Sequence, residues 1–243
     1  MKRILSVLLC SIGLSVLIHS CAKDEYYVDG GLAEAKFEGS ILDYLDSKPR
    51  EFDSIAQIIR IAGMESMFNE QEFTFFSPRD EDVKELIGSN TNGGLNRTLY
   101  NLGLDTIKTL EDVDGEIWER YILRHMFAGK KLLKDYPQID YNLMSVYGGQ
   151  YYYSMSGGVC NIGVVYNDAN SSDGTSTLKY MGYRQLHIAY VRNLANPSNF
   201  QIIPVATSDI QPKNGVVHVL NYLRGQLGYN HTDLANDIID SKR

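Results

Sequence analysis

The stretch that most constrains this chain is Val205-Ala206-Thr207-Ser208-Asp209-Ile210-Gln211-Pro212-Lys213-Asn214-Gly215-Val216-Val217-His218-Val219-Leu220. It reads as a polar turn followed by a buried strand. Asn214 and Gly215 are residue types that tolerate positive φ. The run from Val216 to Leu220 is apolar or amphipathic and, Leu220 apart, strand-favouring. Such a turn fixes where the strand enters the core.

At 243 residues the chain can bury most of its apolar surface without cross-links, which suits one domain with insertions or two small ones. Hydrophobic residues make up 44% and charged residues 22%. That is ordinary globular composition and excludes a disordered, collagenous or multi-span membrane protein. The formal charge of −7 becomes −9 without the cations Lys2 and Arg3, and no run of Lys or Arg offsets it elsewhere. Such a surface repels phosphate backbones, so nucleic acid is not an expected partner.

The N-terminus reads as an address. Lys2 and Arg3 precede an apolar run from Ile4 to Ile18, then Ser20 and Cys21. This is the order of a secretory signal, and the run is too short to be a secure transmembrane span. Ile18-His19-Ser20-Cys21 resembles a bacterial lipobox, with His19 departing from the usual small or aliphatic residue. The expectation is a signal peptide over 1–20, a lipid on Cys21 and a tether over 21–39. Ala22-Lys23-Asp24-Glu25 resembles the export tag that sends some lipoproteins of Gram-negative bacteria to the outer face of the outer membrane. Cys10 leaves with the signal and Cys21 is acylated, so Cys160, flanked by Val159 and Ile162, has no disulfide partner and reads as a small buried hydrophobe.

Along the rest of the chain, Ser40 is placed to cap a helix through Ile41, Leu42 and Leu45, interrupted by Pro49. Phe52, Ile55, Ile59 and Ala62 mark a second helix that ends near Gly63. Phe73 to Phe76 reads as a strand buried on both faces, followed by a helix capped by Asp80. Gly88 to Leu110 turns to Asn, Gly and Thr and reads as a loop with little core contribution. A helix then runs from Glu111 and Asp112 through Trp118, Tyr121, Ile122 and His125. Tyr141 to Tyr147 and Gln150 to Met155 flank Gly148-Gly149 as a hairpin. Strands follow over Cys160–Tyr166, Gln185–Val191 and Phe200–Val205, with a polar loop from Asn167 to Thr177. Residues 230–243 read as a short terminal helix or a frayed end.

Helices followed by antiparallel strands argue for an α+β fold. Three segments resemble motifs of the fasciclin (FAS1) adhesion domains. Asn214, Gly215 and His218 match the turn-and-strand box that opens this section. Ile122-Leu123-Arg124-His125-Met126-Phe127-Ala128-Gly129-Lys130 resembles the middle motif, in which one His holds the helix against the sheet. Thr74-Phe75-Phe76-Ser77-Pro78-Arg79-Asp80 resembles the first box, with Arg79 in place of the usual small polar residue. The resemblance covers roughly Ser40 to Leu223. It implies a wedge-shaped β-sandwich of about seven strands with helices packed at one side, a domain over 40–228 and a C-terminal tail over 229–243.

Ser208, Asp209 and His218 are the residue types of a hydrolytic triad, but Ser208 lacks the Gly-flanked elbow that exposes a nucleophile above a sheet. His125, His187 and His218 show none of the spacings that place two metal ligands on one helix face, and no HExxH or CxxC occurs. No catalytic residue, metal or cofactor is therefore expected. Tyr151-Tyr152-Tyr153 is the most prominent binding feature: alternation puts Tyr151 and Tyr153 on one face of a strand and Tyr152 on the other. Strand tyrosines that merely fill pleated-sheet packing are the plainer reading. The resemblance implies a non-catalytic, lipid-anchored surface module for adhesion or protein contact. The alternative is a glycan-binding accessory lipoprotein of a polysaccharide-uptake system, using Tyr151, Tyr152 and Tyr153.

Overall fold

The computed structural model describes residues 35–88, 94–197, 200–221 and 227–243. The expected signal peptide, Cys21, the Lys23-Asp24-Glu25 sequence and the tether as far as residue 34 lie outside the described residues, as do Asn90, Asn92 and Gly93. No helix among the described residues is long and apolar enough to cross a membrane.

Helix α1 (Ile41–Asp46) begins with a capping box, the Ser40 hydroxyl accepting from the Asp43 amide and the Asp43 carboxylate accepting from the Ser40 amide. Pro49, the expected interruption, is also the first residue of α2 (Pro49–Ile61), where its missing N–H has no partner to lose. Phe68 of α3 (Glu65–Glu70) is buried. The expected cap of α4 (Asp80–Ile87) moves by one residue. Arg79 is the cap position, its amide donating to the Asp82 carboxylate at 2.8 Å, while Asp80 reaches across to the Ser54 amide of α2 at 2.9 Å.

The Gly88–Leu110 stretch corrects the expectation of an inert loop. It contains α5 (Leu95–Asn101), and Leu95, Leu99 and Ile107 are buried in the helical core. Its polar composition hid this, because buried Asn96 pairs its amide group with both the N–H and the C=O of Ile107 at 2.7 and 2.8 Å. Helix α6 (Gly115–Leu123) starts at Asp114, later than expected, since Leu110–Asp112 form a separate 3-10 turn. His125 lies two residues beyond its end. Helix α7 (His231–Ser241) buries Leu234 and Ile238, so the terminal residues pack on the core and are not frayed.

The strands are β1 (Phe73–Ser77), β2 (Met126–Ala128), β3 (Gln150–Tyr153), β4 (Val159–Tyr166), β5 (Ala169–Asn170), β6 (Thr177–Leu178), β7 (Arg184–Val191), β8 (Phe200–Ile210) and β9 (Gly215–Leu220). Seven of them form one sheet in the order β2-β1-β9-β8-β7-β4-β3, and β5 and β6 form a small separate ladder. In the large sheet β1 and β9 run parallel, with Phe73 opposite Gly215, and the other neighbours are antiparallel. Parallel strands covered on both faces need continuous apolar runs, which is what Phe73-Thr74-Phe75-Phe76 and Val216-Val217-His218-Val219-Leu220 supply.

Alternation along these strands feeds two cores. Phe73, Phe75, Val217 and Val219 face the helices, together with Phe52, Ile55 and Trp118. Phe76, Phe127 and Leu220 face the other way, onto Cys160, Ile162, Ile188 and Ile203 from the far half of the same sheet. The two halves are joined through β8, whose residues 200–204 pair with β7 and 205–210 with β9. This gives an α+β fold in which a seven-stranded sheet turns back on itself and helices cover one face.

Three expectations about the strands are revised. Val205 to Ile210 is strand, not turn; two irregularities in the β8–β9 register, at Val205/Thr207 and Thr207/Ile210, accommodate its polar residues. Tyr141 to Tyr147 is a series of turns, started by the Asp140 carboxylate accepting from the Asn142 amide at 2.8 Å, so β3 has β4 as its hairpin partner. Neither Asn214 nor Gly215 takes a positive φ. Gly215 is glycine because a Cβ there would strike the Phe73 carbonyl oxygen and come within 2.6 Å of Ile41 Cδ1.

Gly215→Ala therefore forces apart the parallel pair at its first rung. Its expected cost is about 2–4 kcal/mol, or roughly 5–15 °C in melting temperature for a chain of this size. A thermal melt by circular dichroism checks this, and an unchanged midpoint refutes the close-approach account.

Candidate functional site

Of the residues singled out in the sequence, His125, Asn214, Gly215 and His218 lie along or beside the seam between β1 and β9. Asn214, at the entry of β9, is fully engaged. Its side-chain oxygen accepts from the Ile41 amide at 2.8 Å, and its nitrogen donates to the carbonyls of Phe68 and Gln71, each at 2.9 Å. One amide group thus ties the start of α1 and the end of α3 to the sheet.

His218 is buried on the inner face of β9. Its Nε2–H donates to the Lys131 carbonyl at 2.9 Å, and Nδ1 accepts from the Asp209 amide at 3.2 Å. Asp209 sits at φ 64° within the irregular part of β8, so the imidazole satisfies an N–H that the bulge frees from the ladder. The Asp209 carboxylate oxygen Oδ1 lies 3.9 Å from Nδ1, beyond hydrogen-bonding distance, and accepts instead from the Leu133 amide at 2.7 Å. With both ring nitrogens bonded to backbone, His218 has none left to take a proton from Ser208. The triad is not assembled.

His125 is also buried and bonded at both nitrogens. Nδ1–H donates to the Phe76 carbonyl at 2.9 Å and Nε2 accepts from the Gly228 amide at 2.7 Å, while Phe76 N–H returns a bond to the His125 carbonyl at 3.0 Å. It links β1 to the 3-10 turn Leu227–Tyr229, and the Tyr229 ring packs 4.2 Å from it. His187 lies half-buried on the opposite face of β7 and bonds to the Tyr141 hydroxyl at 3.2 Å. The three histidines are not brought together, and no cluster of metal-ligating side chains occurs among the described residues. Cys160 is fully buried, and burial pushes its thiol well above the usual range, which disfavours the nucleophilic thiolate.

Tyr151, Tyr152 and Tyr153 lie on β3, an edge strand. Tyr151 and Tyr153 are 45% and 74% exposed. Tyr152 turns inward, its ring edge-on to Tyr136 at 5.5 Å with the Lys131 ammonium over it. The outward face therefore carries two rings, not three.

Sequence reasoning missed a second concave region, because it read residues 141–147 as strand. There Asp140 and Tyr141 meet Tyr166, Asp168, Lys179 and Tyr180 around a cleft of about 460 Å³. The available signal was the recurrence of Tyr on either side of the polar loop, at Tyr166 before it and Tyr180 after it.

No family model matches the chain, and no curated protein matches it. Among solved structures fourteen chains match. One is the FAS1 domain pair from the insect cell adhesion molecule fasciclin I, at 16% identity and a TM-score of 0.44, covering 76% of this chain and 50% of that one. This chain thus spans half the length of that pair.

Burial lowers the pKa of His125 to about 3 and of His218 to about 4, so the fold holds both neutral. The unfolded chain takes up these protons from about pH 6.5 downward, so the two histidines leave stability intact above pH 6.5 and erode it as pH falls toward 4. Asp82 acts in the opposite sense. Burial raises it to about 7, and stability is lost progressively as pH rises from about 4 to that value. Asp82→Asn is expected to exceed the wild type by on the order of 2–4 kcal/mol above pH 7 and to converge with it below about pH 4. In that variant urea midpoints should fall between pH 6.5 and 4; a parallel offset at every pH contradicts the assignment.

Proposed function

We propose that this chain is a non-catalytic, lipid-anchored module at the surface of a Gram-negative outer membrane, acting by adhesion or contact with a protein partner. The observation that carries this reading is a contrast. His125, His218 and Cys160 are sealed inside the fold, whereas β3 leaves one side of its backbone unpaired and turns Tyr151 and Tyr153 outward. An edge strand with exposed rings can accept a partner strand by backbone pairing while the rings supply contact area. The partner, the anchor and the outward orientation are the substance of the proposal. The anchor rests on Cys21 and its lipobox-like setting, and the orientation on Lys23-Asp24-Glu25. Placing glycan capture on Tyr151–Tyr153 is weakened by the inward turn of Tyr152.

Cys21→Ala should move the protein from the membrane fraction to the soluble fraction, and surface labelling of intact cells should reach the wild type. Retention of the variant with membranes removes the anchor from the proposal; a wild type labelled only after lysis removes the outward orientation. Cell or partner binding that survives Tyr153→Ala together with a proline at Tyr151 removes the β3 edge.

A further inference from the structure

The cleft beside β4 is unrelated to the β3 edge. Tyr153 pairs with Val159 at one end of β4, whereas Tyr166 closes the other end, seven residues on. At about 3.3 Å per residue that is a separation of roughly 23 Å, and of roughly 16 Å from Asn161, the partner of Tyr151. Whatever the cleft binds, it does so independently of the adhesion reading and of any anchor.

Its walls come from three segments that the fold holds separately: the turn at 140–143, the end of β4 with residues 167–168, and Lys179-Tyr180 after β6. Tyr180 clasps them together. Its hydroxyl donates to Asp140 Oδ2 at 2.8 Å and its amide donates to Asp168 Oδ1 at 3.0 Å. To reach both carboxylates it adopts φ 60°, a left-handed conformation that an aromatic residue keeps only when its surroundings impose it. The other rings are braced as well. The Arg184 guanidinium lies 3.6 Å above the Tyr166 ring, and Tyr141 stacks on His187. The result is an open recess whose three aromatic walls are each held by a side-chain or backbone contact.

The charges select the kind of occupant. Hydrogen bonds from backbone and side chains hold both Asp140 and Asp168 below the usual carboxylate range, so both are ionised at neutral pH. The Lys179 ammonium stands 2.8 Å from Asp168 Oδ2 and Arg184 stands behind Tyr166. Two carboxylates disfavour an organic anion, and the Lys179 ammonium, already paired with Asp168, disfavours an organic cation. What suits alternating donors and acceptors between tyrosine rings is a neutral molecule with vicinal hydroxyls, each able to donate and accept, and with an apolar C–H face for stacking. The volume lies within the usual range for small-molecule sites, with space for roughly one or two pyranose rings.

We propose that the cleft formed by Asp140, Tyr141, Tyr166, Asp168, Lys179 and Tyr180 binds a neutral saccharide, with the carboxylates accepting from its hydroxyls and the tyrosines packing on its ring. Isothermal titration of the full-length chain with maltohexaose, cellohexaose and mannohexaose tests this, with trigalacturonate as the acidic control. Saturable binding of at least one neutral oligomer is expected, weakened about tenfold or more by Asp140→Asn, the scale of one charge-assisted hydrogen bond. Tyr153→Ala should leave it unchanged. If Asp140→Asn melts early, Lys179→Met, which alters an exposed side chain, carries the comparison with the same expected loss. Failure of all three neutral oligomers to bind overturns the proposal, as does preference for trigalacturonate or binding indifferent to the cleft variants. None of these outcomes bears on Cys21 or on the β3 edge.

Discussion

The contact on which the rest of this structure depends is the parallel approach of β1 and β9. Both strands are covered on both faces, so their backbones are satisfied by each other, by β2 and β8, and at Phe76 by His125. The approach is possible because position 215 carries no Cβ, and it is fixed in register by the Asn214 side chain, which satisfies three backbone groups from α1 and from α3 and the residue after it. Helical layer, sheet and second core all meet along this one seam.

The two buried imidazoles extend the same logic. Each takes one donor and one acceptor from backbone that no regular ladder serves: the irregular part of β8 for His218, and the Leu227–Tyr229 turn for His125. A neutral histidine is suited to this because it offers one N–H and one lone pair on opposite sides of a flat ring. The aromatic neighbours Phe76 and Tyr229 then close over the rings. Imidazole chemistry here serves the backbone, and exposed aromatic rings lie elsewhere, on β3.

Much of the core could be read from residue order alone. The β1 and β9 runs are too continuously apolar for a half-exposed strand, and α1 and α2 carry their caps and stripes openly. The failures share a cause: polar residues that act through long-range partners. Asn96 made a core segment look like a loop because its partner is eleven residues away. Thr207, Ser208 and Asp209 looked like a turn because a bulged strand tolerates them once His218 is opposite. Asp140 converted an apparently alternating segment into turns, and so concealed the cleft, whose walls meet only in three dimensions.

The seam also sets an order of events. Phe73 and Gly215 are about 140 residues apart in the chain, and a pairing of such long range carries a large loop-closure cost and forms late. A ribosome delivers β1 long before its neighbour exists, so the helical layer has no finished sheet to rest on until β9 emerges. The rigidity of the helical layer thus waits on β9, the strand that completes the parallel pair.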